Sequence, residues 1–272
     1  MLFDGKLVRD ELLKKLKKKY RKLNLGLAVI QIGNDFASTK YIAQKEKLAN
    51  ELGVNFKLIK FDKINTKKLC AEIDKLNNDD KIQGIIVQLP IPKDIDYEVI
   101  RNRIHPDKDI DGVNDINIIR LFNGSSDALV PCTALGIMKI LDFYKIDLEG
   151  IDVTIIGRSI HIGKALYSLL LNRNATVTIC HSKTKDLVKY TKNSDMVITS
   201  VGKANFINQD MIRDDVILVD VGFNYLEGKI CGDVSHEVSK YKYLTPVPGG
   251  VGQMTVYSIY ENLFKAYELL SK

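Results

Sequence analysis

The sequence predicts an α/β protein built from two α/β domains with an active-site cleft between them. Segments typical of strands alternate with segments typical of helices along most of the chain, an order that produces a parallel sheet layered with helices. The strand segments are almost continuously apolar, as in sheets covered on both faces. The alternation breaks once, at about 90–133, where several prolines and the stretch NGSSD predict loops and a domain boundary.

The first domain is predicted to comprise residues 1–120 together with the C-terminal helix, 253–272. Its opening helix, at about 7–23, carries apolar residues at helical spacing and lysines elsewhere, so the basic run indicates a solvated helix face. The segments that follow are LGLAVIQIG, STKYIAQKEKLANELG, NFKLIKF, TKKLCAEIDKLNND and IQGIIVQLP. They predict a strand, a helix, a strand, a helix and a strand in that order.

The second domain, residues 121–252, is predicted to be Rossmann-like. After the helix TALGIMKILDFYK come DVTIIG, GKALYSLLLNRN, ATVTICHS, TKDLVKYTKN, DMVITSVG and VILVDVGF. NYLEGKICGDVS predicts a short turn or hairpin and TPVPGGVGQMT a glycine- and proline-rich loop. The segment VYSIYENLFKAYELL predicts the closing helix of the chain.

Composition argues against several functional classes. No stretch approaches the ~18 uninterrupted apolar residues of a membrane span, and the N-terminus shows no secretory apolar run. The cysteines, Cys70, Cys132, Cys180 and Cys231, lie far apart without metal-type spacing. We therefore expect a cytoplasmic protein with reduced thiols, no metal, and no nucleic-acid or membrane partner.

The turn GRSIHIG, residues 157–163, resembles a nucleotide-binding loop with altered spacing. Against the fingerprint G-x-G-x-x-G, Ser159 replaces the second glycine and Gly163 comes one residue late. A strand, a glycine turn and a helix still bring backbone N–H groups and a helix N-terminus to a pyrophosphate. We predict a cofactor loop, with an ordinary strand–helix turn as the alternative.

The end of the next strand indicates NADP rather than NAD. NAD-binding folds usually place an acid there to hold the ribose 2′-hydroxyl, whereas this strand ends Cys180-His-Ser-Lys183. Arg158 and Ser182 can donate to a 2′-phosphate instead. The alternative reading of Arg158 is an ordinary surface charge.

Polar residues of the first domain form a second candidate site. Ser38, Tyr41 and Lys45 share one helix face, which suits proton transfer or, alternatively, a tyrosine packed beside a solvated lysine. Gln88 ends a strand at the edge where α/β proteins bind ligands, or simply caps it.

The stretch KDIDG places two acids, Asp109 and Asp111, on a loop before Gly112. The absence of a neighbouring His or Cys argues against a transition metal, whereas the spacing alone leaves magnesium open. A plain turn is the alternative.

Taken in order, eight stretches resemble the bifunctional methylenetetrahydrofolate dehydrogenase/cyclohydrolase family. They are STKYIAQK, GIIVQLPIP, PDKDIDG, PCT, GRSIHIGK, CHSKT, GDV and TPVPGGVGQMT. The resemblance implies NADP-dependent oxidation of 5,10-methylenetetrahydrofolate to the methenyl form and its hydrolysis to 10-formyltetrahydrofolate, within one-carbon metabolism and purine biosynthesis. It also implies a homodimer.

The resemblance assigns roles at the matching positions. Lys45 handles protons and Gln88 hydrogen-bonds it, while Tyr41 stacks on the folate and Asp111 binds the pterin. The implied substrate-binding residues are Tyr41, Lys45, Val87, Gln88, Leu89, Asp111, Pro248, Gly249, Gly250, Val251 and Gly252. The implied cofactor-binding residues are Gly157, Arg158, Ser159, Ser182 and Phe223.

Four positions depart from the family pattern. Ala134, Ala165 and Gln253 stand where the family usually has proline, and Ile119 where it has glycine. None removes a proposed catalytic group. Two other functions are compatible with the sequence: an NADP-dependent dehydrogenase for another small substrate, of shikimate or amino-acid type, and a non-catalytic folate or nucleotide sensor. The presence of Lys45 argues against the sensor.

Overall fold

The computed structural model describes residues 1–272, except for the side chain of Ala37. The chain divides into two compact units, each with its own parallel sheet, which confirms the α/β class. We call Leu13–Cys132 with Ser258–Lys272 the folate unit, after the predicted site residues it contains. Met1–Leu12 with Thr133–Tyr257 is the nucleotide unit. In the described part of the chain, no helix is long and apolar enough to cross a membrane.

The elements up to the unit boundary near residue 132 are mainly those of the folate unit. They are α1 (Gly5–Tyr20), β1 (Gly26–Ile32), α2 (Phe36–Leu52), β2 (Asn55–Phe61), α3 (Thr66–Asn77), β3 (Gly84–Val87), α4 (Tyr97–Arg103), a 3₁₀ turn (Pro106–Lys108) and α5 (Asp115–Phe122). The sheet has the order β2-β1-β3, all parallel.

The core of the folate unit follows from the apolar pattern of its elements. All residues of the central strand β1 are buried, as expected of a strand between two parallel neighbours. Leu69, Ile73 and Leu76 form the buried stripe of α3 and belong to the same cluster as Ile30 and Ile85. Burial of these aliphatic side chains is the main stabilising contribution, at roughly 1.5–3 kcal/mol each.

The remaining elements complete the nucleotide unit and the closing helix. They are α6 (Cys132–Phe143), β4 (Asp152–Ile156), α7 (Gly163–Leu171), β5 (Thr176–Cys180), α8 (Leu187–Thr191), β6 (Met196–Thr199), a 3₁₀ turn (Gln209–Met211), β7 (Ile217–Asp220), β8 (Asn224–Leu226), β9 (Lys229–Cys231), β10 (Tyr243–Leu244) and α9 (Val251–Leu270). The sheet order is β10-β7-β6-β4-β5, and β8 and β9 form the expected hairpin.

That strand order places a topological switch point in the nucleotide unit. The chain passes from β4 to β5 on one side and then returns to β6 on the other side of β4. In open parallel sheets, ligands bind beyond the carboxyl ends of the strands at such a point. The residues directly after β4, β5 and β6 therefore lie where a nucleotide is expected.

The unit boundaries differ from the predicted domain boundaries. The N-terminal segment belongs to the nucleotide unit because Phe3 N donates to Leu244 O at 2.8 Å and the Phe3 ring stacks on Tyr243 at 4.7 Å. Residues 121–132 belong to the folate unit instead, and 253–257, at the start of α9, belong to the nucleotide unit. These differences depend on contacts between distant parts of the chain, which a local pattern does not reveal.

Two predicted loop regions contain regular structure. Helices α4 and α5 lie within the stretch predicted as loop, and their first turns are capped by the side chains of Asp96 and Asn114. Both helices are too short to show a clear period of 3.6. Helix α9 begins at Val251 rather than after the glycine-rich segment, so Val251 and Gly252 are helical.

Candidate active site

Lys45 is the central group of the folate unit's candidate site. It lies on α2 and is only 7% exposed. Its Nζ donates to Gln88 Oε1 at 2.7 Å. Gln88 follows β3, where its backbone N–H donates to Ile30 O and its Nε2 donates to Leu89 O. The glutamine oxygen is thereby held towards the lysine, so the predicted pairing of Lys45 with Gln88 exists in the structure.

Local sequence chemistry fixes the position of α2. Asp35 caps the helix by accepting from Ser38 N at 2.7 Å. The buried Ser38 hydroxyl donates to Leu89 O at 2.8 Å, which ties the start of the helix to the chain after β3. Tyr41, half-buried, lies one turn before Lys45 on the same face. The Tyr260 hydroxyl donates to the backbone carbonyl of Lys45.

Electrostatics at this site favour a lysine that can lose its proton. Burial lowers the pKa of the Lys45 ammonium, because the charged form is poorly solvated there. The negative charge of Asp111 opposes this and raises the same pKa, so the two effects partly offset one another. A lysine with a lowered pKa can act as a general base closer to neutral pH than a solvated one.

The two acids of KDIDG occupy different environments. Asp109 is fully buried, and its Oδ2 accepts from Asn114 N at 2.7 Å and from Asn117 Nδ2 at 3.1 Å. Its Oδ1 is buried without a hydrogen-bond partner, and burial raises the pKa of Asp109 to about 7. Asp111 is partly exposed. Asp109 therefore holds the loop, and Asp111 is the acid available to a ligand.

Gly112 fixes the direction of the same loop. Its φ is +72°, a conformation that favours glycine. A Cβ there would lie 2.5 Å from the carbonyl carbon of Val130. The loop that carries Asp111 thus depends on glycine for both its backbone angle and its close packing.

Four further residues shape the site and were not assigned from sequence. The Nζ of Lys108, a buried lysine, donates to the carbonyls of Leu76, Asn77 and Asp79, where α3 ends. These hydrogen bonds connect the loop of the two acids to the end of α3, and no sequence pattern predicts them.

The other three residues surround Asp111 and Ile110. Cys132 Sγ donates to Ile110 O at 3.1 Å, and Asn262 Nδ2 donates to the same oxygen at 2.9 Å. Burial raises the pKa of the Cys132 thiol, so it remains protonated. Burial and the charges of Asp111 and Asp109 also raise the pKa of Tyr97, which keeps its phenol neutral.

The predicted cofactor turn lies at the carboxyl end of β4 in the nucleotide unit. Gly157 has φ +134°, and a Cβ there would lie 2.8 Å from Ser200 O. A Cβ on Gly163 would lie 2.1 Å from Gly157 O. Gly163 therefore allows the helix to pack closely against the turn. The residue at the N-cap of α7, Ile162, has no side chain that could cap the helix. An uncapped helix start behind a glycine turn is a cradle that fits a pyrophosphate.

The residues predicted to read the 2′-phosphate share one edge of the sheet. Arg158 follows β4 and Ser182 follows β5, and these neighbouring strands pair Ile156 with Cys180. Both side chains are exposed, as is Ser159. Phe223 follows β7 and is 46% exposed, with its ring edge-on to Tyr225 at 5.5 Å.

The segment Pro248–Gly252 belongs to the nucleotide unit. Gly249 has φ +110°, and a Cβ on Gly250 would lie 2.6 Å from Pro246 O. Gly250 N donates to the same oxygen at 2.7 Å. The segment is therefore a tight turn that leads into α9. No group of three His, Cys, Asp or Glu side chains that could hold a metal ion occurs within the described residues.

Comparisons with known proteins match both halves of the chain. The family model of the tetrahydrofolate dehydrogenase/cyclohydrolase catalytic domain matches residues 3–111, and that of the NAD(P)-binding domain matches 131–271. The bifunctional protein FolD of Bacillus subtilis is 44% identical over 274 residues, covering 97% of this chain and 96% of the relative.

Solved structures are similar over almost the whole chain. The bifunctional FolD methylenetetrahydrofolate dehydrogenase/cyclohydrolase of Campylobacter jejuni superposes with a TM-score of 0.96 at 42% identity, with 99% of each chain covered. The FolD enzyme of Trypanosoma brucei, solved with NADP and an inhibitor, has a TM-score of 0.92 at 28% identity, with 100% and 98% covered.

Proposed function

Because the chain belongs to the tetrahydrofolate dehydrogenase/cyclohydrolase family, we propose that Lys45 is the proton-handling group of a bifunctional site. The enzyme oxidises 5,10-methylenetetrahydrofolate to 5,10-methenyltetrahydrofolate and hydrolyses that product to 10-formyltetrahydrofolate. NADP, when bound, supplies the hydride acceptor. The observation that carries the proposal is the buried Lys45 Nζ held at 2.7 Å from Gln88 Oε1.

The oxidation requires mainly positioning and a site that tolerates positive charge. A folate nitrogen lone pair drives the loss of hydride from the methylene bridge and leaves a delocalised cation, so alignment supplies much of the rate. A fully charged Lys45 would oppose that cation. The lowering of its pKa by burial increases the neutral fraction and so reduces the repulsion.

The hydrolysis requires proton transfer around a water molecule. As water adds to the methenyl carbon, the neutral Nζ of Lys45 accepts one of its protons. When the carbon–N5 bond then breaks, N5 gains a proton, the added hydroxyl becomes the formyl carbonyl, and one proton is released overall. Gln88 orients Nζ throughout, since its own amide is fixed by the bond to Leu89 O.

Folate binding is proposed for residues around Lys45. Tyr41 offers its ring for stacking on the folate, and the partly exposed Asp111 can accept hydrogen bonds from pterin N–H groups. Val87 and Leu89 flank Gln88 at the end of β3. For Pro248–Gly252, the support is the family resemblance together with the tight turn at Gly249 and Gly250.

NADP binding is proposed for the turn after β4 and its neighbours. Gly157, Ser159 and the start of α7 would hold the pyrophosphate, because the start of α7 has no side-chain cap and can direct backbone N–H groups at an anion. Arg158 and Ser182 would bind the 2′-phosphate. Phe223 would lie near the nicotinamide.

A homodimer in the cytoplasm is proposed for the working form. Family resemblance supports the dimer, and the four free thiols suit a reducing compartment. Sedimentation of the purified protein at micromolar concentration tests the dimer, and a monomeric species would contradict it.

Replacing Lys45 tests the proposed function directly. We expect Lys45→Met to abolish hydrolysis of 5,10-methenyltetrahydrofolate, followed by loss of its absorbance, while NADP affinity remains within about twofold of the wild type. The matched control is Lys47→Met, which removes an exposed lysine from the same helix. An equal loss of NADP affinity in the Lys45 variant, or full hydrolase activity, would contradict the assigned role.

A further inference from the structure

A buried carboxylate organises the chain that follows β6 in the nucleotide unit. Asp233 is fully buried. Its Oδ2 accepts from Val201 N at 2.7 Å and Gly202 N at 3.3 Å, and its Oδ1 accepts from Lys203 N at 2.9 Å. Oδ2 also accepts from the Thr199 hydroxyl at 3.2 Å. Consecutive backbone N–H groups directed at one carboxylate fix the path of a loop strongly, since each bond is charge-assisted.

A second carboxylate holds Asp233 itself in place. Asp220, at the end of β7, accepts from Asp233 N at 2.9 Å, from Val234 N at 2.8 Å and from Gly222 N at 2.9 Å. A Cβ on Gly232 would lie 1.9 Å from Asp220 Oδ2, and a Cβ on Gly222 would lie 2.3 Å from Asp233 Oδ1. The two acids and the two glycines therefore form one interlocked unit at the carboxyl ends of β6 and β7.

This unit adjoins the proposed cofactor turn. Ser200, which precedes the residues held by Asp233, donates its backbone N–H to Ile156 O at 2.9 Å. Its carbonyl oxygen is the atom that a Cβ on Gly157 would approach to 2.8 Å. The position of Ser200 thus limits where the Gly157 turn can lie.

The same unit also supports the region of Phe223. Gly222 is bound by Asp220, and Asn224 Nδ2 donates to Asp233 Oδ1 at 3.0 Å. Phe223 lies between these two anchored residues and is itself exposed. Both proposed ends of the cofactor site, the phosphate turn and the nicotinamide side, therefore depend on the Asp233 carboxylate.

We propose that Asp233 is a positioning residue for the dehydrogenase reaction, acting through Ser200 and Phe223 on the NADP site. This inference rests on the proposed cofactor role of the Gly157 turn. Hydrolysis needs no NADP, and Lys45 and Gln88 belong to the folate unit. Loss of the Asp233 carboxylate therefore raises the KM for NADP and leaves hydrolysis nearly unchanged, whereas general unfolding removes both activities together.

The test is the variant Asp233→Asn, whose side chain has similar size but one acceptor oxygen fewer. We expect the KM for NADP⁺ to rise at least about tenfold and hydrolysis of 5,10-methenyltetrahydrofolate, assayed without NADP, to stay within about twofold. Asp214→Asn is the control, because Asp214 is an exposed acid of the same unit. An unchanged KM for NADP⁺ in Asp233→Asn overturns the proposal.

Two further variants keep the outcomes distinct. Arg158→Ala is assayed alongside: if it raises the KM for NADP⁺ and Asp233→Asn does not, only the positioning role fails. If neither variant alters that KM, the assignment of the cofactor turn fails as well. If Asp233→Asn loses both activities, Asn224→Ala, which removes a single bond to the carboxylate, decides: a raised KM with intact hydrolysis supports the proposal, and an unchanged KM overturns it.

Discussion

At the scale of single residues, Asp109 and Asp111 show how two carboxylates of one short motif acquire different chemistry. Asp109 is sealed from solvent and has one oxygen without a partner, so its charged form is destabilised. Asp111 remains partly exposed, and its charge acts on Lys45. The motif separates one acid that supports the loop from another that is available for binding and electrostatics.

The raised pKa of Asp109 predicts a pH dependence of stability. Its folded-state pKa is about 7, against an ordinary value near 4. As pH rises from 4 to 7, the unfolded chain loses this proton while the folded chain keeps it, so the carboxyl's contribution to the free energy of unfolding falls. Asp109→Asn removes this titration. We expect the difference in free energy of unfolding, variant minus wild type, to rise by about 2 kcal/mol between pH 5 and pH 7.

Denaturant unfolding of both proteins at several pH values measures this difference. Asp94→Asn controls for the loss of a negative charge at an exposed position. Parallel pH profiles for wild type and Asp109→Asn would show that Asp109 is ionised alike in the folded and unfolded chains.

The sequence predicted residues with distinctive chemistry, but not residues whose roles depend on contacts with distant parts of the chain. The Lys45–Gln88 pair and the acid Asp111 were predicted because their motifs are specific. Lys108 and Tyr97 were missed, since a lysine that binds backbone carbonyls and a phenol beside two acids look like ordinary surface residues in one dimension. Asp233 was seen only as part of a matching stretch, because its partners are backbone N–H groups of a distant loop.

At the scale of elements, the junction of β4 and α7 explains the unusual glycine spacing. The turn has one residue more than the dinucleotide fingerprint, yet its final glycine still lies where the helix and the turn touch. A Cβ on Gly163 would lie only 2.1 Å from Gly157 O. Ser159 takes the second glycine's place and is exposed. Close packing therefore requires glycine at the first and last positions of this turn, and it leaves room for a side chain at Ser159.

Replacing the last glycine tests this reading. We expect Gly163→Ala to displace the turn, to raise the KM for NADP⁺ by about tenfold or more and to lower the melting temperature, while hydrolysis persists. The control Ser168→Gly lies beyond the first turn of the same helix and weakens it by roughly 0.5 kcal/mol without a steric clash. Dehydrogenase kinetics and thermal melts of the two variants separate turn displacement from helix weakening. If Gly163→Ala and the control variant have the same KM for NADP⁺, the packing argument is wrong.

Elements with long or strongly apolar patterns were predicted well, and short ones were not. The apolar run of β1 and the helical periodicity of α2 can be recognised from the residues of each element alone. Helices α4 and α5 are defined largely by their caps, Asp96 and Asn114. The two-residue strand β10 exists because Leu244 pairs with β7 and with the N-terminal segment, contacts that no local window contains.

At the scale of the whole molecule, the proposed chemistry divides between the two units. Residues proposed for proton transfer lie in the folate unit, and residues proposed for NADP lie in the nucleotide unit. The bounds of the two units differ from those of the predicted domains at 1–12, 121–132 and 253–257. Hydrolysis therefore depends on the proton-transfer residues of the folate unit, and NADP affinity depends on the turn residues of the nucleotide unit.

The net charge of +6 adds a property that belongs to the entire chain. Both the cofactor and folate substrates are anionic, so a positive field raises their encounter rate and is screened by salt. We expect kcat/KM for NADP⁺ to fall as ionic strength rises from about 0.02 to 0.3 M, with kcat nearly constant. NAD⁺, which lacks the 2′-phosphate, is expected to show a weaker dependence.

Remote lysines separate this field from local contacts. Lys15 and Lys18 are exposed on α1, and neither is among the residues proposed to contact a ligand. The double variant Lys15→Gln/Lys18→Gln lowers the net charge by two and is expected to flatten the salt dependence of kcat/KM for NADP⁺ without altering kcat. If the slope is unchanged in this variant and vanishes in Arg158→Ala, the dependence arises from the 2′-phosphate contact alone, and the molecule's overall charge does not steer its cofactor.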